Sequence, residues 1–136
     1  MSTPTYVHPV TIYYEDTDHS GLVYHANYLK YFERAREHVL GREELVRLLE
    51  QEGVGFVVYR AELTYRRGAQ FGDVVEVRTS VTMTSEYRLA FVQNVHRRPD
   101  GEQLVAGHVD LVTVDRNRQL IPLPASVLAR LQASPR

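Results

Sequence analysis

The sequence predicts an α+β domain in which one long helix packs on a curved antiparallel β-sheet of about five strands. Its 136 residues are about the length of one ordinary domain. One amphipathic helical run lies in the first third of the chain, and four long runs with a period of two follow it. Because no linker, repeat or low-complexity tract separates these runs, we expect a single domain over residues 1–136.

The first strand is predicted at residues 10–14, which are all β-branched or aromatic. A long helix is predicted from Tyr28 onward, since apolar side chains then recur at spacings of three and four residues: Leu29, Phe32, Ala35 and Val39. Asn27 is predicted to cap the N-terminus of this helix through its side-chain oxygen. Gly41 is expected to end the helix, and a second helical stretch is predicted over residues 42–50.

Four further strands are predicted because apolar and polar side chains alternate along each of four runs. These runs cover residues 57–66, 75–83, 87–97 and 103–115. An Arg-Pro-Asp-Gly turn at residues 98–101 joins the last two strands, since Pro fixes φ and Gly tolerates positive φ. A short C-terminal helix is predicted at residues 125–132. This order of elements is typical of a helix packed on an antiparallel sheet.

Composition and charge exclude several classes of function. A net charge of −1 argues against a protein that binds the phosphate backbone of nucleic acids. The absence of cysteine excludes a thiol nucleophile, a Cys-ligated metal and a structural disulfide. No apolar run approaches the ~20 residues that span a bilayer, and the N-terminus lacks the features of a signal peptide. We therefore expect a cytoplasmic protein with no integral membrane segment and no nucleic acid partner.

The loop between the first strand and the long helix is the candidate functional segment, and three interpretations of it compete. The Asp-x-Asp-x-Ser-Gly run from Asp16 imitates half of an EF-hand calcium loop, but Asn27 stands where the bidentate Glu is required. Such residues also form simple turns, and spacing alone favours that interpretation. A third possibility is a carboxylate acting on a thioester carbonyl that free helix-start amides polarise. Periodicity does not choose between Asp16 and Asp18 for that role.

The segment from Asp16 to Arg36 also carries a resemblance to a known family. Its sequence, DTDHSGLVYHANYLKYFERAR, resembles the hotdog-fold acyl-CoA thioesterases of the 4-hydroxybenzoyl-CoA thioesterase family, and in particular their YbgC-like branch. The resemblance extends over residues 6–130, with its specificity concentrated in residues 14–36. It implies a hotdog fold and the hydrolysis of an acyl-CoA to a free acid and coenzyme A. It implies no metal and no cofactor, because coenzyme A is part of the substrate.

The resemblance implies roles for individual residues of the loop. The catalytic carboxylate falls on Asp18, as nucleophile or general base, and the loop histidine falls on His25. The backbone amides of Tyr24 and His25, at the start of the helix, are implied to bind the carbonyl oxygen. Asp16 is left with a supporting role. The residues expected to bind the substrate are Gly21, Tyr14, Tyr24 and Tyr28.

Other functions and further sites follow from the same sequence. A non-catalytic acyl-CoA or acyl-carrier sensor and a hotdog dehydratase are the alternative functions.

The family implies a homo-oligomer, a dimer or tetramer of paired sheets, and the long Val- and Thr-rich strands agree with it. The arginines at 66–67, 97–98 and 116–118 form either exposed hairpin ends or contacts for the phosphates of coenzyme A. A metal site built from His96, His108 and Asp110 is disfavoured, because the family implies none.

Overall fold

The computed structural model describes residues 5–133, which form five antiparallel strands and three α-helices. The strands are β1 (Tyr6–Thr11), β2 (Gly55–Tyr65), β3 (Val74–Ser85), β4 (Arg88–Arg97) and β5 (Gln103–Val114). The helices are α1 (Asn27–Leu40), α2 (Arg42–Arg47) and α3 (Ala125–Gln132). The predicted α+β class is therefore confirmed. Within residues 5–133, no helix has the length and apolar character needed to cross a membrane.

The order of the strands explains where the candidate loop lies. Neighbouring strands follow the order β1-β3-β4-β5-β2, so β1 and β2 occupy opposite edges of the sheet. The chain leaves β1 at one edge and reaches β2 at the other, and α1 makes that crossing over one face of the sheet. The start of α1 consequently lies near the end of β2, where Tyr65 contacts His25.

The apolar face of α1 packs closely on the middle of the sheet. Phe32 is fully buried and lies directly over Gly107 of β5, where an added Cβ would be 2.4 Å from the Phe32 ring. A side chain at Gly107 would therefore push α1 away from the sheet. The largest fully buried apolar side chains of this core are Tyr28, Tyr31, Phe32, Phe91, Ile12, Leu48, Leu89 and Leu104.

A polar network is buried within this apolar interface. Arg36 of α1 is only 5% exposed, and its guanidinium donates a hydrogen bond to the Gln93 side-chain oxygen on β4 at 3.0 Å. The Gln93 amide group donates in turn to the Phe32 carbonyl at 3.0 Å and to the Thr79 hydroxyl at 3.1 Å. Each of these buried polar groups therefore has a hydrogen-bond partner, and the bonds join α1 to the sheet.

Strand β2 is the exposed edge of the sheet. Each of its residues is exposed or only partly buried, including Val57 at 46% and Val58 at 42% exposure. A bulge interrupts its pairing with β5 between Val58 and Arg60. The alternating pattern correctly predicts a strand here. Val57 and Val58 are nevertheless exposed in the single chain, whereas Phe56 and Leu63 pack against the core. Among residues 5–133, β2 pairs with one strand only, so its outer row of backbone groups has no partner strand.

Two predicted features at the ends of the candidate loop are wrong. The first strand covers Tyr6–Thr11 rather than residues 10–14, because the chain turns into a short 3₁₀ helix at Tyr14–Asp16. The predicted cap at Asn27 is not formed, since Ala26 occupies the N-cap position and Asn27 is the first helical residue. The Asn27 side chain instead donates to the Asp16 carbonyl at 3.1 Å.

The second helical stretch begins as predicted but changes character before its end. It is α-helical over Arg42–Arg47 and then continues as a π-helical turn over Leu48–Glu52. Gly53 ends it with φ of 69°. The apolar spacing alone does not show where the α-helical turns give way to the wider π-helical turn.

Candidate active site

The candidate loop folds as a small hairpin closed against the rest of the chain. Thr17 pairs with Val23, and the Asp18 amide donates to the Leu22 carbonyl at 2.8 Å. The turn is completed by a 3.1 Å bond from the Gly21 amide to the Asp18 carbonyl. Gly21 has φ of 85°, a left-handed conformation that a residue with a Cβ adopts at a cost. Gly21 therefore provides the bend that closes this turn.

The Asp18 carboxylate is exposed and held by Ser20. Its Oδ1 accepts hydrogen bonds from the Ser20 amide at 2.8 Å and from the Ser20 hydroxyl at 2.5 Å. These bonds, first that of the hydroxyl, lower the pKa of Asp18, and the nearby His19 and His25 make smaller contributions. The carboxylate is thus stabilised in its ionised form. No donor among residues 5–133 bonds to its other oxygen, Oδ2.

Asp16 has a different environment from Asp18. Its carboxylate accepts a hydrogen bond from the Tyr13 amide at 2.8 Å, which closes the 3₁₀ turn. Its backbone carbonyl accepts from the Tyr24 amide at 2.9 Å and from the Asn27 side chain at 3.1 Å. Asp16 therefore connects the two ends of the loop, whereas the Asp18 side chain lies on the turn between them.

The backbone at the start of α1 presents one amide of the predicted pair. The Tyr24 amide already donates to the Asp16 carbonyl, so it is not free to bind a substrate oxygen in this arrangement. The His25 amide has no acceptor among residues 5–133. The Tyr24 carbonyl accepts the Asn27 amide at 2.8 Å, which fixes the peptide plane that carries the His25 amide.

His25 is surrounded by two tyrosine rings. The Tyr24 ring lies 4.6 Å from the imidazole, centroid to centroid, at 55°. The Tyr65 ring lies 6.2 Å away in an edge-on arrangement, and the Tyr65 hydroxyl donates to the His25 carbonyl at 3.0 Å. These contacts fix the backbone of His25 from the sheet as well as from its own loop.

A cavity of about 270 Å³ brings part of the predicted site together. It is lined by Asp18, Ser20, Leu22, Val23, His25, Tyr28, Tyr65, Arg66, Arg67 and Gly68. The predicted residues Asp18, His25 and Tyr28 thus line the same cavity. Gly21, Tyr14 and Tyr24 do not line it. Tyr14 is 76% exposed and lies against Phe71, on another part of the surface.

Several residues at the cavity were not predicted as site residues. Ser20 stands two residues after Asp18, a spacing typical of Asx turns, so the sequence contained a signal for its contact. Tyr65 is 40 residues from His25, and nothing local to either residue indicates their contact. Arg66 and Arg67, by contrast, were considered as contacts for the phosphates of coenzyme A, and they lie at the cavity, where Arg67 forms an ion pair with Glu102.

The remaining histidines form other contacts. The His108 ring donates to the Asp110 carboxylate at 2.8 Å, while the His96 ring donates to the Gly101 carbonyl at 3.0 Å. Among residues 5–133, no three potential ligands converge as a metal site would require. His8 and His38 stack on each other with ring centroids 4.7 Å apart, and burial lowers the pKa of the partly buried His8.

Comparison with known proteins gives a family match and a set of relatives. A family model described as the thioesterase-like superfamily matches residues 13–131. The chain is 38% identical over 96 residues to the acyl-CoA thioester hydrolase YbgC of Escherichia coli O6:H1. That alignment covers 70% of this chain and 72% of the relative.

Two solved structures extend the comparison to the fold. A hypothetical protein from Thermus thermophilus, TT1821, is 33% identical and has a TM-score of 0.81, with 93% of this chain and 96% of that chain covered. Slr0204 of Synechocystis, a 1,4-dihydroxy-2-naphthoyl-CoA thioesterase, is 22% identical with a TM-score of 0.87 and coverage of 93% and 95%. The predicted hotdog fold is confirmed by these similarities.

Proposed function

Because the chain belongs to the thioesterase-like superfamily, we propose that it hydrolyses an acyl-CoA thioester to a free acid and coenzyme A. The family and the enzyme class predicted from the sequence, a thioester hydrolase, are confirmed by the match and by the E. coli relative. The observation that carries the specific proposal is the cavity in which the Asp18 carboxylate and His25 meet. This cavity brings together an ionised carboxylate and a residue, His25, whose backbone amide has no acceptor among residues 5–133.

Asp18 is the proposed catalytic carboxylate. Its Oδ2 accepts no hydrogen bond from residues 5–133, so it is the atom that can attack the thioester carbonyl or accept a proton from water. Attack by Oδ2 forms a mixed anhydride and releases the coenzyme A thiolate, after which water cleaves the anhydride. As a general base, Asp18 instead removes a proton from the attacking water. Both routes require the ionised carboxylate that Ser20 stabilises.

The His25 amide is the proposed donor to the carbonyl oxygen. This oxygen gains negative charge in the transition state. The His25 amide lies just before α1 and has no acceptor among residues 5–133, so it can bind this oxygen with support from the helix dipole. Tyr24 is left out of this role, since its amide is bonded to Asp16. The His25 imidazole lies at the cavity as well, where it can hydrogen-bond to water or substrate.

The acyl group is proposed to occupy the apolar part of the cavity. Leu22, Val23 and the Tyr28 ring provide that part, and Arg66 at the cavity carries a positive charge without a carboxylate partner among residues 5–133. From the resemblance to the YbgC-like branch we propose an aliphatic acyl group, and the aromatic side chains of the cavity also suit an aromatic one. Coenzyme A is thus the proposed partner, and its phosphates are proposed to bind at the arginines that line the cavity.

We also propose that the enzyme is a homo-oligomer in which two copies pair along β2. This edge strand leaves Val57 and Val58 uncovered and one row of backbone groups without a neighbouring strand. Antiparallel pairing of two such edges buries both, and two pairs can form a tetramer. Size-exclusion chromatography with light scattering tests this proposal. A monomer with full activity would contradict it.

Release of free thiol from a panel of acyl-CoAs tests the proposed function. The panel contains aliphatic acyl groups of increasing length and aromatic groups, and we expect rapid release from at least one of them. Binding without release from any member would favour the acyl-CoA or acyl-carrier sensor. Loss of water from a 3-hydroxyacyl-CoA without thiol release would favour the dehydratase.

A further inference from the structure

Tyr65 connects the rigid sheet to the start of α1. It is the last residue of β2 and pairs with Val105 of β5, so its backbone is fixed by the sheet. Its hydroxyl reaches across and donates to the His25 carbonyl at 3.0 Å. The Tyr65 ring also packs edge-on against His25 and lies 5.8 Å from the Tyr28 ring. A side chain from a distant strand therefore holds the residue at the centre of the proposed site.

This bond completes the restraint of the His25 backbone. The peptide before His25 carries the unpaired His25 amide, and its carbonyl, that of Tyr24, is bonded to the Asn27 amide. The peptide after His25 has its carbonyl bonded to Tyr65. With the planes on both sides fixed, the two backbone torsions of His25 are fixed as well. The direction of its amide and the position of its imidazole follow from them.

The phenol is suited to this task because it remains a donor. Partial burial raises the pKa of Tyr65, so the hydroxyl keeps its proton under neutral and mildly alkaline conditions. Tyr65 is 47% exposed and its side chain lines the cavity in which the acyl group is proposed to bind. The ring and the hydroxyl thus have separate contacts, which a single substitution can separate.

We propose that Tyr65 is a positioning residue that aims the His25 amide at the thioester carbonyl oxygen through its hydrogen bond to the His25 carbonyl. This inference rests on the proposed thioesterase function. An oxyanion donor is effective only when it is held at hydrogen-bond distance from the developing charge. Loss of the hydroxyl therefore weakens transition-state binding, while ground-state binding of the acyl-CoA depends on the ring and is retained.

The test compares Tyr65→Phe with wild type and with Tyr59→Phe. Tyr59 lies on the same strand with similar exposure, 50%, and its hydroxyl makes no hydrogen bond among residues 5–133. The readouts are kcat, KM for the best acyl-CoA, and the thermal unfolding midpoint. For Tyr65→Phe we expect kcat to fall about tenfold, the typical effect of one lost hydrogen bond, with KM and the unfolding midpoint unchanged. Tyr59→Phe should match wild type in all three.

The outcomes separate this inference from the function on which it rests. An active wild type with an equally active Tyr65→Phe variant would overturn the positioning role and leave the thioesterase function intact. A fall in kcat accompanied by a matching loss of thermal stability would also overturn it, since the bond would then be merely structural. No thiol release by the wild type would remove the proposed function, and the inference with it.

Discussion

Two clusters of polar residues near α1 differ in the hydrogen bonds that hold them. In the loop before α1, Asp18 is exposed and bonded to Ser20, two residues away. Beneath α1, Arg36 is buried and bonded to Gln93, 57 residues away. Among residues 5–133, one oxygen of the Asp18 carboxylate accepts no hydrogen bond, whereas every group named in the buried network has a partner. Hydrogen bonds between neighbouring residues thus hold the Asp18 side chain, which remains available to react. Hydrogen bonds between distant residues fix α1 on the sheet.

The buried cluster around Arg36 should therefore contribute to stability, and the loop cluster around Asp18 to the chemistry. Substitutions in the α1–sheet interface should change the free energy of unfolding, because buried groups lose partners or space there. Substitutions in the loop should change activity or its pH dependence with little effect on stability, since the side chains are exposed.

The largest expected effect on stability is that of Gly107→Ala. The new Cβ would lie 2.4 Å from the Phe32 ring and 2.7 Å from the Gln93 carbonyl oxygen, a backbone atom that cannot easily move. We expect a loss of about 3 kcal/mol in the free energy of unfolding, measured by urea denaturation. Gly55→Ala is the matched control, because no heavy atom lies within 4 Å of its added Cβ. Equal stability of the two variants would show that α1 is not held closely over β5.

Arg36→Ala should have the next largest effect. It leaves the buried Gln93 oxygen without its donor and removes the packing of the arginine stem, at a cost of about 2 kcal/mol. Arg34→Ala on the exposed face of α1 serves as control and should change the free energy of unfolding by less than about 0.5 kcal/mol. The same urea denaturation measures both. A neutral Arg36→Ala variant would mean that the buried network does not contribute to stability.

Ser20→Ala should leave stability unchanged and move the pH dependence of activity. The Ser20 hydroxyl is the main cause of the lowered pKa of Asp18, so its removal raises that pKa. Activity requires the carboxylate and falls as the pH falls through its pKa. The acid limb of kcat/KM should therefore shift to higher pH in the variant, while activity above both pKa values stays close to wild type.

A matched control for that shift is Ser80→Ala, on strand β3 and outside the cavity. Its acid limb should coincide with that of the wild type. An unshifted limb in Ser20→Ala would mean that the group titrating in this range is not Asp18.

The parts that the sequence predicts well are those determined by local pattern. The α1 helix follows from the spacing of Leu29, Phe32 and their neighbours, and the four later strands follow from alternation. The fold and the family follow from the unbroken run between residues 16 and 36. These features need only contacts between residues that are close in sequence, or a motif that can be read in one segment.

The parts that the sequence does not predict depend on which distant residues meet. The contact of Tyr65 with His25 arises because β2 lies at the far edge of the sheet, and the spacing of residues does not give strand order. Asn27 was expected to cap its own helix, but its side chain bonds to the Asp16 carbonyl across the loop. The roles of Asp18 and His25 in catalysis stay predictions.

The most direct measurement of the central claim compares the activities of Asp18→Asn and Asp16→Asn on the best acyl-CoA substrate. We expect Asp18→Asn to lower kcat/KM on the order of 10²-fold or more, because the reacting oxygen is lost. The unfolding midpoint should stay unchanged, because the Asp18 side chain is exposed. Asp16→Asn should be much milder, because its carboxylate accepts a hydrogen bond from the Tyr13 amide, and the side-chain oxygen of Asn can accept the same bond. Wild-type activity in Asp18→Asn, or a larger loss in Asp16→Asn, would contradict the account.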